Sequence, residues 1–461
     1  MSWAASCFSL SGDVCSNRAM RIEVRAMPAI CRTFRRVFVG WSLFSLVCAA
    51  ELRAQTPVAQ FQESAAAAGI DFVHWNGNLP PGTYGPARCA LVTHGAAAVG
   101  DYDNDGWPDL YVTRIHAKNL LYRNRGDGTF EEVGAAAGVD IRTHGAGCLW
   151  FDVDNDGDLD LYVMTFNSFG RNYLFINDGA GRFTDEAEAR NVDFTGTTID
   201  SRVYSSASAG DYDRDGDVDL LVLAWDAAPR NTLLDNDGTG HFTNRTFQAG
   251  LFPPFDGEVL PLVMAYTGYF IDMDNDGWPD LPVTADFGTS RLARNLGDRT
   301  FEDITRVSGV ATDENGMGAA IGDIDNDGDF DWFVTSIYDD CYDPNCIWWG
   351  NSGNRLYRND GNMQFTDITD QAGVRNGQWG WGAAFLDYDN DGDLDLAQTN
   401  GVIYPQITLD DEFNTDPTHL WENDGTGVMT DVAAERGFLD TRSGKALIVF
   451  DYDRDGDEDV F

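Results

Sequence analysis

The stretch Asp101-Tyr102-Asp103-Asn104-Asp105-Gly106-Trp107-Pro108-Asp109 decides the fold, because the chain writes its pattern seven times. Every copy reads Asp-x-Asp-x-Asp-Gly-x-x-Asp. The acidic positions are Asp101, Asp103, Asp105 and Asp109; Asp152, Asp154, Asp156 and Asp160; Asp211, Asp213, Asp215 and Asp219; Asp272, Asp274, Asp276 and Asp280; Asp323, Asp325, Asp327 and Asp331; Asp387, Asp389, Asp391 and Asp395; and Asp451, Asp453, Asp455 and Asp459. Four carboxylates within nine residues repel one another unless a cation sits among them. Gly at the sixth position allows a sharp turn, and the seventh residue can lend its carbonyl. An all-oxygen cage of this size and flexibility favours calcium over magnesium, so all 28 aspartates are expected to be ligands of up to seven Ca2+ ions.

An EF-hand would need Glu at position 12 and helices on both sides. Position 12 is instead Val112, Val163, Val222, Val283, Val334 and Gln398, and the flanks are short, β-branched and aromatic, as in Asp109–Thr113 and Asp219–Leu223. These read as strands. The unit is strand, acidic loop, strand, with the ninth-position Asp doing the work of the missing Glu.

A second motif travels with the first. Asn-x-Leu-aromatic-x-Asn leads through Asp-Gly-x-Gly to a Phe-led strand, as in Asn119 to Phe130, Asn172 to Phe183, Asn231 to Phe242 and Asn354 to Phe365. Gly-rich turns between apolar runs are hairpin signals. Tails then step eight residues from Phe to Gly, as in Phe130 to Gly138 and Phe365 to Gly373, with Phe183 to Asn191 and Met429 to Gly437 as variants. One repeat thus holds strand A before the acidic loop, B after it, C at Asn-x-Leu and D from the Phe. Four-stranded units recurring every 51 to 64 residues mean a β-propeller. The expected fold is all-β: a seven-bladed propeller with calcium loops between strands A and B. Phe61 to Gly69 is a seventh tail without a loop before it, so the N-terminal strand is expected to close the last blade. Strand C of that blade is missing before Phe461, so either the last blade is incomplete or, as is favoured, the chain continues beyond this residue.

The first 55 residues read as a leader and 56–461 as the propeller. Met27, then Arg32, Arg35 and Arg36, then the apolar run Val37–Ala50 make a secretory signal, with cleavage after Ala50 or Ala54; translation could equally start at Met20 or Met27. The run is too short for a comfortable membrane span, and a lipid anchor through Cys48 is disfavoured by Val47. The expected location is secreted, extracellular or cell-envelope. Net charge is −44, with 28 of 75 acidic residues in the loops, and it argues against nucleic acid or anionic membrane as partner. Outside the leader, Cys341 and Cys346 are expected to form a local disulfide, and Cys89 and Cys148 to be buried thiols.

The acidic loop followed by Leu-aromatic-Val resembles the FG-GAP/VCBS repeats of integrin-α-like propellers. The opening from Phe61 through Gly69-Ile70-Asp71-Phe72-Val73-His74 is more specifically similar to the CRTAC1-type, ASPIC/UnbV-associated secreted proteins. The resemblance covers about residues 58–461. It implies a calcium-binding propeller, in a group that commonly carries a further C-terminal ASPIC/UnbV domain; related propellers serve adhesion, lectin-like binding and some polysaccharide-active enzymes.

Strand order puts the A–B and C–D turns on one face and the B–C and D–A connections on the other. The long insertions 193–205, 250–266, 338–353 and 401–418 all belong to the second face. Loops on a rigid scaffold are where binding residues gather, and aromatics bounded by polar groups suit sugar stacking or a protein partner. The candidate ligand-binding set there is His94, His144, Trp348, Trp349, Trp379, Trp381 and Tyr404, with a protein or glycan as partner. The competing reading is that these residues fill the gap between blades, and the shared Thr-His-Gly-Ala setting favours a structural role for both histidines. No nucleophile–base pair or phosphate loop stands out. A binding module is therefore expected and not an enzyme, the alternatives being a lectin or a calcium-dependent lyase with a His, Tyr or Lys445 as base.

Overall fold

The computed structural model describes residues 59–72, 74, 95–165, 171–194, 204–225, 231–252, 263–340, 350–402 and 412–461. The leader 1–55, His94, Trp348, Trp349, Tyr404, Cys89, Cys341 and Cys346 lie outside them.

Blade one shows the pattern. Ala97–Gly100, Asp109–Val112, Leu120–Asn124 and Phe130–Glu132 form one antiparallel sheet in sequence order. The acidic loop is the connection of the first pair, where Gly100 faces Asp109. The Asn that ends strand C faces the Phe that opens strand D, as in Asn124 opposite Phe130 and Asn359 opposite Phe365. Five further blades repeat this, and blade two gains an outer strand, Ile115–Lys118, beside Arg142–Phe151. The central strands bury both faces; Asp219–Ala224 and Asp160–Thr165 are buried throughout. Successive hydrophobic clusters pack each blade on the next.

The count differs from the expectation. Six blades are four-stranded, not seven, and the seventh acidic loop lies on a two-stranded sheet of Val449–Phe450 and Asp459–Val460. The last repeat supplies only strands A and B. An apolar cavity of about 140 Å3 lined by Phe72, Val112, Phe438, Val460 and Phe461 lies beside that sheet.

The N-terminal segment also departs from the expectation of a closing strand. Residues 65–69 form a turn, and among the described residues before Ala97 only Glu63 makes a β-bridge. The segment nonetheless stands where a tail would. In four of the other tails the eight-residue step hides one helical turn, such as Gly134–Ala137 or Thr369–Ala372, ended by a left-handed glycine, Gly138 at φ 88° and Gly373 at φ 83°. In the tails after Phe183 and Phe242 the step is a plain turn whose carbonyl meets the next strand D: Phe242 N–H donates to Arg190 O and Phe301 N–H to Ala249 O. Phe61 N–H donates to Arg436 O in the same manner, and Phe130 N–H to Ala68 O. The segment therefore seals the ring by its turn and its side chains. Phe61 packs 5.1 Å from Phe438 and 5.8 Å from Tyr388, ring centre to ring centre. Phe61→Ala is expected to lower stability by about 3 kcal/mol, measured as a shift in guanidinium midpoint; an unshifted midpoint would show the seal to be idle.

Candidate metal loops and the opposite face

Each acidic loop is prefolded by its own carboxylates. The first Asp accepts the N–H groups of positions five and six at 2.7–3.2 Å in all seven copies. Position four takes a left-handed backbone, Asn104 at φ 55° and Arg214 at φ 58°, and Gly follows two residues on with φ from 88° to 98°. Asn tolerates that region and Gly is free in it, which is why these residues recur. The ninth Asp joins loop to blade: Asp219 accepts Tyr212 N–H at 3.2 Å and Asn236 N–H at 2.8 Å.

What remains points inward. Carboxylate oxygens of Asp101, Asp103 and Asp109 lie within 4.8 Å of one another, as do those of Asp152, Asp154 and Asp160, of Asp211, Asp213 and Asp219, of Asp272, Asp274 and Asp276, and of Asp323, Asp325 and Asp331. Oδ1 of Asp103, Asp154, Asp213, Asp325 and Asp389 is buried without a hydrogen-bond partner. Asp213 is only 8 % exposed. An unpartnered buried carboxylate oxygen is costly, and a hard cation would satisfy it. Burial first, and the neighbouring carboxylates after it, push Asp109, Asp219 and Asp395 up to about 8 and Asp160, Asp280 and Asp331 up to about 7. The donors, all hard oxygens, fit calcium.

Arginines hold the other oxygen of the third Asp from several directions. Arg123 and Arg294 come from strand C, Arg190 from a tail and Arg299 from the next hairpin, at 2.6, 2.7, 3.0 and 2.8 Å from Asp103, Asp274, Asp154 and Asp213. The sequence reading missed them, although aligning the strand-C motif places a charged residue directly before its last Asn in most repeats.

The loops also touch one another by a rule that the sequence carries. Where position seven is Asp, position four of the preceding loop is Asn, and Asn104, Asn155, Asn275, Asn326 and Asn390 donate to Asp158, Asp217, Asp329, Asp393 and Asp457 at 2.7–3.2 Å. Where it is Trp, position four is Arg: Arg214 stacks over Trp278 at 5.2 Å and Arg454 over Trp107 at 4.6 Å. The last pair brings loop seven back to loop one. Strand-C asparagines add a second circuit, with Asn177 Nδ2 donating to Tyr102 O and Asn124 Nδ2 to Tyr452 O, both at 2.8 Å. The C–D turns lie on the same face, Gly179 against Asp158 and Gly425 against Asp393.

On the other face, two of the candidate residues fall among the described ones of blade six. Trp379 and Trp381 are each 4 % exposed. They stack on each other at 6.4 Å within a cluster that includes Phe413 and Val402. Trp381 also borders a central cavity of about 410 Å3 lined by the strands A, with Tyr266, Met317 and Lys445. Lys445 Nζ lies 4.0 Å from the Trp381 ring centre and 2.5 Å from Gly401 O. His144 is buried where strand A of blade two faces Ile115. Cys148 is a free thiol whose pKa burial raises.

Two buried carboxylates went unnoticed in the sequence. Asp286 accepts from Trp225 Nε1 at 2.9 Å and Asp313 from Ser290 Oγ at 2.9 Å, and burial pushes both up to about 6. A raised folded value means that Asp313 costs stability as pH rises from the unfolded value near 4 to the folded one, about 3 kcal/mol in all. Asp313→Asn is expected to melt like the parent at pH 4 and a few degrees higher at pH 7; parallel melting curves across that range would overturn this.

An all-β ring of blades joined at acidic loops is a β-propeller built from short repeats. The profile of the FG-GAP-like repeat family matches residues 101–163, 152–222, 272–334 and 343–397, more than half of the chain. The chain belongs to that family, and its repeats are of the CRTAC1 type. It is 29 % identical over 195 residues to cartilage acidic protein 1 of Xenopus tropicalis, a match covering 40 % of this chain and 27 % of that protein. With the human cartilage acidic protein 1 it is 30 % identical over 140 residues, 30 % of this chain and 20 % of the relative. The matches thus span about a quarter of these relatives or less. Among solved structures it is similar to BBS1N, crystallised in complex with ARL6DN, at 10 % identity and a TM-score of 0.47, covering 80 % of this chain and 94 % of that one. No described helix is long and apolar enough to cross a membrane.

Proposed function

We propose that the protein is a secreted, calcium-loaded propeller that serves as a binding module, offering a protein or glycan the face opposite its acidic loops. The observation that carries the calcium reading is the set of buried third-position oxygens without partners, each beside two more carboxylates. Up to seven ions would be held, one per loop. The metal is structural: it joins strands A and B and leaves the far face to its ligand. The apolar run Val37–Ala50 and the net charge of −44 support an extracellular site. On the ligand face the cavity bordered by Trp381, Tyr266 and Lys445 offers a recess for that ligand; His94, Trp348, Trp349 and Tyr404 remain candidate contacts. Equilibrium dialysis against radioactive calcium tests the metal reading. Several ions per chain at 2 mM free calcium are expected; none bound would end it.

A further inference from the structure

On the reading that these loops hold calcium, we propose that the loop beginning at Asp387 is the tightest of the six whose blade has a strand C, because Glu422 serves it as a fifth carboxylate. The argument starts from register. In each of those blades the last Asn of strand C donates its N–H to the ninth Asp, as Asn124 does to Asp109 at 2.7 Å and Asn423 to Asp395 at 2.8 Å. The residue just before that Asn is thereby held beside the loop. In blades one, four and five it is Arg123, Arg294 or Arg358, at 2.6, 2.7 and 4.0 Å from the third Asp. In blade six it is Glu422.

Glu422 faces the same loop. Its Oε2 accepts from the hydroxyl of Tyr388, the second loop residue, and from Arg436 at 2.6 Å. Both bonds end on Oε2, so Oε1 is not used by them. Arg436 offsets part of the charge, yet a paired carboxylate in place of an arginine still leaves this loop the more negative. Blade three shows the contrast. Asp235 stands at the equivalent position there, but Arg245 lies 3.0 Å from it, and Arg299 lies 2.8 Å from Asp213 and 2.7 Å from Asp215. Blade two has Ile176, and Arg190 reaches Asp154 at 3.0 Å. Among the described residues no arginine or lysine forms an ion pair with Asp387, Asp389, Asp391 or Asp395, and a further acid, Glu458, accepts Asp387 N–H at 2.9 Å.

A second observation singles out the same loop. Asp395 is 1 % exposed, and its Oδ2 makes no well-formed hydrogen bond, the Tyr388 N–H reaching it only weakly. In the other loops that oxygen accepts the second residue's N–H, as in Asp331 from Ile324 at 2.9 Å. Blade six therefore leaves one more buried oxygen for an ion, together with Oδ1 of Asp389. Affinity in oxygen cages rises with ligand charge.

Calcium dialysis of the full chain at 0.15 M salt tests this. The parent isotherm is expected to resolve one site about tenfold tighter than the main class. Glu422→Gln is expected to merge that site into the main class at unchanged stoichiometry. Arg358→Glu, on an exposed side chain, is expected to create a second tight site, and far-UV circular dichroism checks that both variants fold. Parent and Glu422→Gln isotherms that superimpose while several ions still bind would overturn the ranking and leave the calcium reading intact. A parent that binds no calcium would overturn both.

Discussion

Stripped of divalent ions by excess EDTA, the protein is expected to melt about 15 °C lower than in 5 mM calcium. Extracellular calcium sites bind at roughly 0.1–1 mM, so at 5 mM each contributes about 1–2 kcal/mol by mass action. Seven sites together supply on the order of 10 kcal/mol, comparable to the whole stability of an ordinary domain. The geometry adds a reason for the sign. Without an ion the loops keep buried carboxylate oxygens such as those of Asp103 and Asp213 unsatisfied, and burial, with acidic neighbours after it, lifts Asp219 to about 8. Readded calcium is expected to restore the melt, and equimolar magnesium to do so poorly, because magnesium demands a tighter octahedron. A melt indifferent to EDTA would remove the structural role of the metal.

The next largest effect is expected from one asparagine. Asn236 is buried, and its Nδ2 donates to Val153 O of the preceding blade at 2.8 Å and to Val218 O at 3.0 Å. Its Oδ1 accepts Gly238 N–H at 3.2 Å and Gly240 N–H at 3.0 Å. Asn236→Ala removes four bonds at once and strands buried backbone groups, which costs about 1–3 kcal/mol apiece where water cannot replace the partner. A loss of about 5 kcal/mol is expected, read from guanidinium denaturation at fixed calcium. A loss below about 1 kcal/mol would show that the joint is made elsewhere, by packing alone.

Much of this architecture was legible because the repeat is spelled in residues with narrow conformational needs. Asp at four fixed offsets and Gly at the sixth announce the loop; Asn and Phe announce strands C and D. The blade count was partly legible: seven loops suggested seven blades, while the missing strand-C motif before Phe461 already marked the last repeat, a two-stranded sheet at Val449–Val460, as short of a full blade. The tail was half legible. Its step from Phe to Gly was plain, but Gly134–Ala137 is too short a turn to leave a helical period. Trp379 and Trp381 show a different limit. An aromatic at the start of strand A reads alike whether it lines an opening or packs under Phe413 at 5.2 Å, because tertiary contacts decide and periodicity does not. The pairing of Asn with Asp and of Arg with Trp between successive loops was in the sequence all along. It goes unseen while repeats are compared position by position, since it links unlike positions of neighbouring copies.

The two circuits of contacts also dictate an order of assembly. In both circuits most joints between neighbouring blades connect residues 54 to 99 apart along the chain, as Asn104 with Asp158 and Asn423 with Ile324 do. The bond from Asn124 to Tyr452 spans 328 residues, and Gln60 reaches Glu435 across 375. Closing so long a span costs more chain entropy than closing a short one, and nothing recovers it until both partners are already built. Neighbouring wedges therefore zip together in sequence, and the hoop is fastened last, at Phe61 and Arg454. Opening of that clasp is then expected to lead unfolding, so that Phe61→Ala speeds unfolding more than it slows folding.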